Sequence, residues 1–137
     1  MKPRRGYKIC KIYESGSIVS YSDFNSVTYA LNEYVNKPTI GGPLAVFRCL
    51  KHVREFTQNN INTSNIGNYI VYKCYYEEHY TRKLWYIDFW NNIKEKTQLP
   101  NGTEVASKIK LVEPVYKFSI YRDAFFIKLF SPLQKIS

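Results

Sequence analysis

The apolar residues of GGPLAVFRCLKHVREF, positions 41 to 56, change their spacing halfway along, so the chain must hold at least one strand and one helix. Gly41, Gly42 and Pro43 punctuate a loop, and Leu44, Ala45, Val46 and Phe47 then form an apolar run of the length of a buried strand. Leu50, Val53 and Phe56 recur at every third position with Lys51, Arg54 and Glu55 between them, which lays one apolar stripe along a helix of about three turns. A helix N-terminus after a strand attracts anions through its free N–H groups and its dipole. Phosphate-binding sequences, however, place glycines between the strand and the helix. Here Gly41 and Gly42 precede the strand, and neither GxGxxG nor GxxxxGKS/T occurs, so the junction reads as structural.

Further elements follow from local pattern. Tyr7 to Tyr13, YKICKIY, is rich in β-formers, Glu14 to Ser17 supplies turn chemistry, and Ile18 to Tyr21 completes a hairpin signal. Val27 to Val35 suits a strand or a short helix, closed by Lys37 and Pro38. Gln58 to Asn68 is a polar connection, and Tyr69 to Tyr76, YIVYKCYY, is the clearest strand. Leu84 to Ile93 carries both tryptophans; Leu84, Ile87, Trp90 and Ile93 can share a helical face, and the reading leans to helix with a strand left open. Val105, Ser107, Ile109 and Leu111 alternate on one side of a strand that Pro114 is expected to end. Tyr116 to Phe130 fits a hairpin turning near Arg122 and Asp123. No repeat or linker divides the 137 residues, enough for one core. The prediction is an α+β domain over residues 7–137, a largely antiparallel sheet with one or two helices packed on one face, preceded by a basic arm of residues 1–6.

The formal net charge is +9, and Lys2, Arg4, Arg5, Lys8 and Lys11 supply +5 of it within thirteen residues that contain no acid. Such a segment can neutralise phosphates or face an acidic protein, with an affinity that falls as salt rises. Arg82, Lys83, Trp85 and Tyr86 form a second group, in which cations mix with rings able to stack on bases. These two groups are the candidate binding residues. No RNP, KH, zinc-finger or helix-turn-helix pattern accompanies them, and Tyr, Trp and Arg also dominate protein interfaces, so the partner is an acidic protein surface or a nucleic acid. No apolar run approaches the ~20 residues of a membrane span, and the N-terminus lacks the apolar core of a signal peptide. The expectation is a soluble, intracellular protein without a membrane partner.

Three cysteines, Cys10, Cys49 and Cys74, are an odd count without a CxxC pair and suit a reducing compartment. Cys49-x-x-His52 and Cys74 with His79 supply two thiolates and two imidazoles, a set that zinc accepts. Both cysteines fall in or beside apolar strands and lack tight knuckles, so they read as small buried hydrophobes. A cysteine nucleophile with His52 or His79 as base has no third group to orient it. Glu77 and Glu78, neighbours on a strand, point to opposite faces and read as a solvated strand end. The residues call for no cofactor, no metal and no catalytic group, which leaves a non-enzymatic binding protein.

Taken in order, GGPLAVF, the helix ending in Phe56, YIVYKCYY and LPNGTEVASKIKLVEP resemble a family of small uncharacterised proteins from phages and large DNA viruses. Its members share a strand with PL-hydrophobic-F, a following helix, and a late LP-x-GT segment that leads into a basic-apolar strand. The resemblance covers roughly Tyr7 to Pro114. It implies an α+β fold and a viral or mobile-element accessory protein acting on a host or viral partner, and it brings no catalytic residues. The strand and helix order is also similar to a reduced ADP-ribosyltransferase core, which implies, as the alternative, a nucleotide or NAD site with tyrosines stacked on the rings.

Overall fold

β-branched and aromatic residues are frequent in two long runs, residues 67–78 and 103–122, and each run forms one long strand. In the computed structural model, which describes residues 2–20, 27–37, 43–59, 66–80, 84–87, 90, 92–96 and 99–136, the elements follow in chain order. They are β1 Arg4–Ile12, β2 Ile18–Ser20, β3 Thr28–Tyr29, β4 Tyr34–Asn36, β5 Leu44–Phe47, α1 Leu50–Asn59, β6 Gly67–Glu78, β7 Leu84–Ile87, β8 Ile93–Lys96, β9 Thr103–Arg122, β10 Lys128–Phe130 and β11 Gln134–Lys135. The α+β class holds, with the weight on the sheet: every pairing among the described residues is antiparallel, and α1 is the one helix among them.

Strand pairing closes the main sheet on itself. β6 lies between β1, in register from Arg4↔Tyr76 to Ile12↔Asn68, and β9, from Glu78↔Ala106 to Gly67↔Ile120. β5 pairs with the other side of β9, Leu44↔Ala106 to Phe47↔Thr103, and reaches β1 through Tyr7↔Phe47. The circuit β1, β6, β9, β5 is therefore a small barrel. Gly6 permits the closure. A Cβ at this position would stand 2.8 Å from the Phe47 carbonyl oxygen and 2.9 Å from the Tyr76 ring, so only a residue without a side chain lets the backbone of β5 come beside β1.

Three residues of β9, Ser107, Val112 and Val115, have no opposite number in β6. Each is a bulge that bends β9 and adds twist. The bent strand pairs along its second edge with β5, β4, β11 and β10 in turn. Pro114 lies between two of these bulges, where the ladder is already interrupted, so the strand expected to end there runs on to Arg122.

The two faces of the sheet carry separate cores. Cys10, Leu44, Val46, Tyr72, Cys74, Tyr76, Ala106, Ile109 and Leu111 pack inside the barrel. Ile9, Tyr69, Val71, Phe118 and Ile120 pack on the outer face under Val53 and Phe56 of α1, with Leu50 beside them. The predicted helical stripe is thus the buried side of α1. Its Phe56 ring lies 5.3 Å from that of Phe47, and Tyr69 stacks on Phe118 at 5.1 Å. Because both faces are buried from Tyr69 to Tyr72, this part of β6 is an unbroken apolar run in sequence rather than an alternating one.

Three further readings change. Val27 to Val35 is a strand, a turn with Asn32 at φ +63°, and a second strand. The lean toward helix in Leu84 to Ile93 gives way to β7 paired with β8, Leu84↔Lys96 to Ile87↔Ile93; Trp85, Tyr86 and Ile87 favour extended backbone, and β8 supplies the partner that local periodicity could not show. The segment placed in a basic arm is already strand from Arg4, because β6 extends far enough to pair with it. The β1 to β2 hairpin, with Gly16 at φ +87° in its turn, and the β9 to β10 hairpin at Asp123 follow the sequence reading.

Candidate nucleic-acid interface

α1 covers only one end of the outer sheet face. Toward the other end, strand register sets four residues side by side: Arg5 of β1 opposite Tyr75 of β6, Tyr75 opposite Lys110 of β9, and Lys110 opposite Tyr34 of β4. Alternation places them all outward. Gly6, Lys8 and Cys10 take the inner side of β1, Cys74 and Tyr76 that of β6, Ile109 and Leu111 that of β9, and Val35 packs inward from β4. The result is a lateral row of cation, ring, cation, ring, about 14 Å long at the usual strand spacing.

Charge in the row is uncompensated. Among the described residues neither Arg5 nor Lys110 has an ion-pair partner, whereas the cations beside the row do: Lys73 meets Glu113 at 3.3 Å, and Lys108 meets Glu77 at 2.7 Å. The hydrogen bond from Lys108 to Glu77 raises its pKa and fixes the ammonium as a charge. Lys110 Nζ lies 5.0 Å from the centre of the Tyr34 ring and 5.7 Å from that of Tyr75, and Lys108 Nζ lies 4.8 Å from Tyr34. These contacts orient both rings on a rigid sheet.

The residues singled out in the N-terminal segment do not act as one patch. Arg5 joins the row. Arg4 is held 2.8 Å from Glu78, on the opposite side of the strand from Arg5. Lys8 turns into the barrel, only 4 % exposed, and donates from Nζ to the carbonyl of Ala45 at 2.6 Å. Lys11 lies 5.1 Å from the Tyr13 ring, toward the β1 to β2 turn, and Lys2 is exposed ahead of β1. In the second group Arg82 and Lys83 lie outside the described residues, Trp85 is half-buried in β7 opposite Glu95, and Tyr86 occupies the next position, opposite Lys94. Glu77 and Glu78 do point apart, one to Lys108 and the other to Arg4.

Nor are the cysteines and histidines gathered. Cys74 is fully buried in the barrel, and burial pushes its thiol up to about 12 against the opposing pull of Lys8, so it stays protonated at neutral pH. His79 stacks on Tyr80 at 4.6 Å, and burial, then Lys37, holds its pKa below the usual range. His52 lies against Gly102, whose φ of +79° and missing side chain make room for the ring, and its Nδ1 is 3.5 Å from Glu55. Among the described residues no three His, Cys, Asp or Glu side chains are placed to hold a metal ion. Thr103 Oγ1 donates to the Pro100 carbonyl at 2.7 Å and Arg48 N–H to that of Gly102 at 2.8 Å, so the LP-x-GT segment serves as the clasp between β5, α1 and β9.

Tyr34, Tyr75 and Lys110 are the site residues that sequence reasoning missed. Their sole signal was the excess of tyrosine, because the row joins positions far apart in the chain and only strand register reveals it. Among known proteins, the chain matches no family model, no curated sequence and no solved structure.

Proposed function

We propose that this chain is a small, basic, non-enzymatic protein that binds single-stranded nucleic acid across the open end of its outer sheet face. The observation that carries the reading is the row Arg5, Tyr75, Lys110, Tyr34. A sheet that presents rings between uncompensated cations suits an unpaired strand: bases stack on the tyrosines while phosphates meet Arg5 and Lys110. Two rings hold about two or three bases, and stacking tolerates any base, so binding is sequence-tolerant. Duplex DNA hides its base faces and offers only phosphate contacts. The viral or mobile-element setting is part of the proposal and rests on the sequence resemblance.

Binding of random-sequence oligonucleotides, single-stranded and duplex, between about 50 and 200 mM salt tests the reading. Single strands are expected to bind more tightly than duplex, with a logarithmic salt slope of about −0.7 for each phosphate neutralised. Equal affinity for both forms, or no binding at low salt, overturns it; the second result leaves an acidic protein surface as the partner of the row.

A further inference from the structure

We infer that the tip of the β9 to β10 hairpin is a wedge that inserts into the surface of an anionic lipid bilayer. Phe125 and Phe126 are 82 % and 78 % exposed, and Ile127 is 55 % exposed, three large apolar side chains in succession at a turn. Single exposed apolar residues are ordinary; a contiguous group at a protruding tip marks an interaction site. The turn is also built to hold them. Phe126 has φ +62°, a conformation that Gly or Asn adopts far more readily than a bulky ring, so the ring is kept at a conformational cost.

The hydrogen bonding of the tip points to lipid. Asp123 Oδ1 accepts from the N–H groups of Phe125 at 2.8 Å and Ile127 at 3.0 Å. The Phe126 N–H donates to the Asp123 carbonyl, the Asp123 N–H to the Ile127 carbonyl, and Arg122 Nη1 to the Phe126 carbonyl at 3.1 Å. These bonds satisfy most of the backbone of the turn, which lowers the cost of moving it from water to the interface of a bilayer. Arg122 and Lys128 stand opposite each other at the base of the tip and outnumber its one acid, Asp123, and the chain carries a net charge of +9. The sign suits anionic headgroups and opposes docking on a second copy of the same chain. Rings below and cations above make an interfacial anchor rather than a span.

Flotation of the full chain with vesicles of phosphatidylcholine, with and without roughly one-third phosphatidylserine, tests the inference. The wild type is expected to float with the anionic vesicles, weakened but not abolished by salt. F125S/F126S should lower partitioning on the order of a hundredfold while leaving the melting temperature and single-strand binding unchanged, since both rings are exposed and lie outside the row. An F126W variant should show a blue-shifted emission on binding. Flotation that survives F125S/F126S, or that disappears entirely with salt, overturns the wedge. Failure of the wild type to float overturns it as well and assigns the rings to an apolar cleft on a protein.

Discussion

The two ends of the outer sheet face are built from the same strands, β1, β6 and β9, yet they have opposite fates. Under α1, outward positions carry Ile9, Val71, Phe118 and Ile120, and the helix closes over them with Val53 and Phe56. Beyond α1 the same strands present Arg5, Tyr75 and Lys110, and β4 adds Tyr34 rather than a cover. Where the outward residues are apolar, burial under a helix is the favourable outcome. Where they are amphipathic, the Lys110 ammonium lies over the two rings and the side chains keep their polar groups at the surface, so the face can stay open to water. The covered surface and the open surface thus differ in side chain while sharing one backbone.

The sharpest way to separate the two ends is to damage each in turn. Phe56→Ala removes a buried ring from the covered end and should cost about 3 kcal/mol of stability in denaturant unfolding. Its folded fraction should still bind single strands with wild-type affinity. Tyr34→Ala and Tyr75→Ala should behave in the reverse way, each weakening single-strand binding by about 1–3 kcal/mol with a small change in melting temperature. If either tyrosine variant loses as much stability as Phe56→Ala and no affinity, the open end is structural and the comparison collapses.

Finer changes sharpen it further. Lys110→Gln and Arg5→Gln should each lower the logarithmic salt slope by about 0.7, whereas Lys8→Gln, which alters a charge inside the barrel, should lower stability and leave the slope alone. The smallest effect is at His79, past the end of β6 on the open side. Its pKa lies below the ordinary 6.5 when folded, so the unfolded chain takes up the proton first. The stability held above pH 6.5 is then lost as the pH falls from there through the folded value, and levels off below it. Thermal unfolding between about pH 7.5 and 5 should show this loss in the wild type and a flatter profile in His79→Gln.

Much of the local structure was legible in the sequence. The change of rhythm at Leu50 announces β5 and α1, and the β-rich runs on either side of Gly16 announce the first hairpin, because turn chemistry and periodicity act over a few residues. Lateral register does not. Nothing near Tyr34 says that it will lie beside Lys110, and nothing near Lys8 says that its ammonium will face inward; both depend on which strand arrives next and in what phase. Pro114 misled for the same reason, since it sits between the bulges at Val112 and Val115, where the ladder with β6 is already irregular. The clustered N-terminal charges were visible as composition, but alternation along a strand sends Arg4 and Arg5 to opposite sides.

β9 has a consequence for how the molecule comes into being. It pairs with β4, β5 and β6, all made before it, and with β10 and β11, made after it. During synthesis the chain can form the β1 to β2 hairpin and the long β1 to β6 ladder, but β5 has only its single pairing with β1, and β4 awaits its partner, until Thr103–Arg122 has left the ribosome. Until then the second edge of β6 is an open template for other chains. Closure of the barrel is a late, non-local step, and the time between the synthesis of β6 and of β9 is when the nascent protein most needs a chaperone.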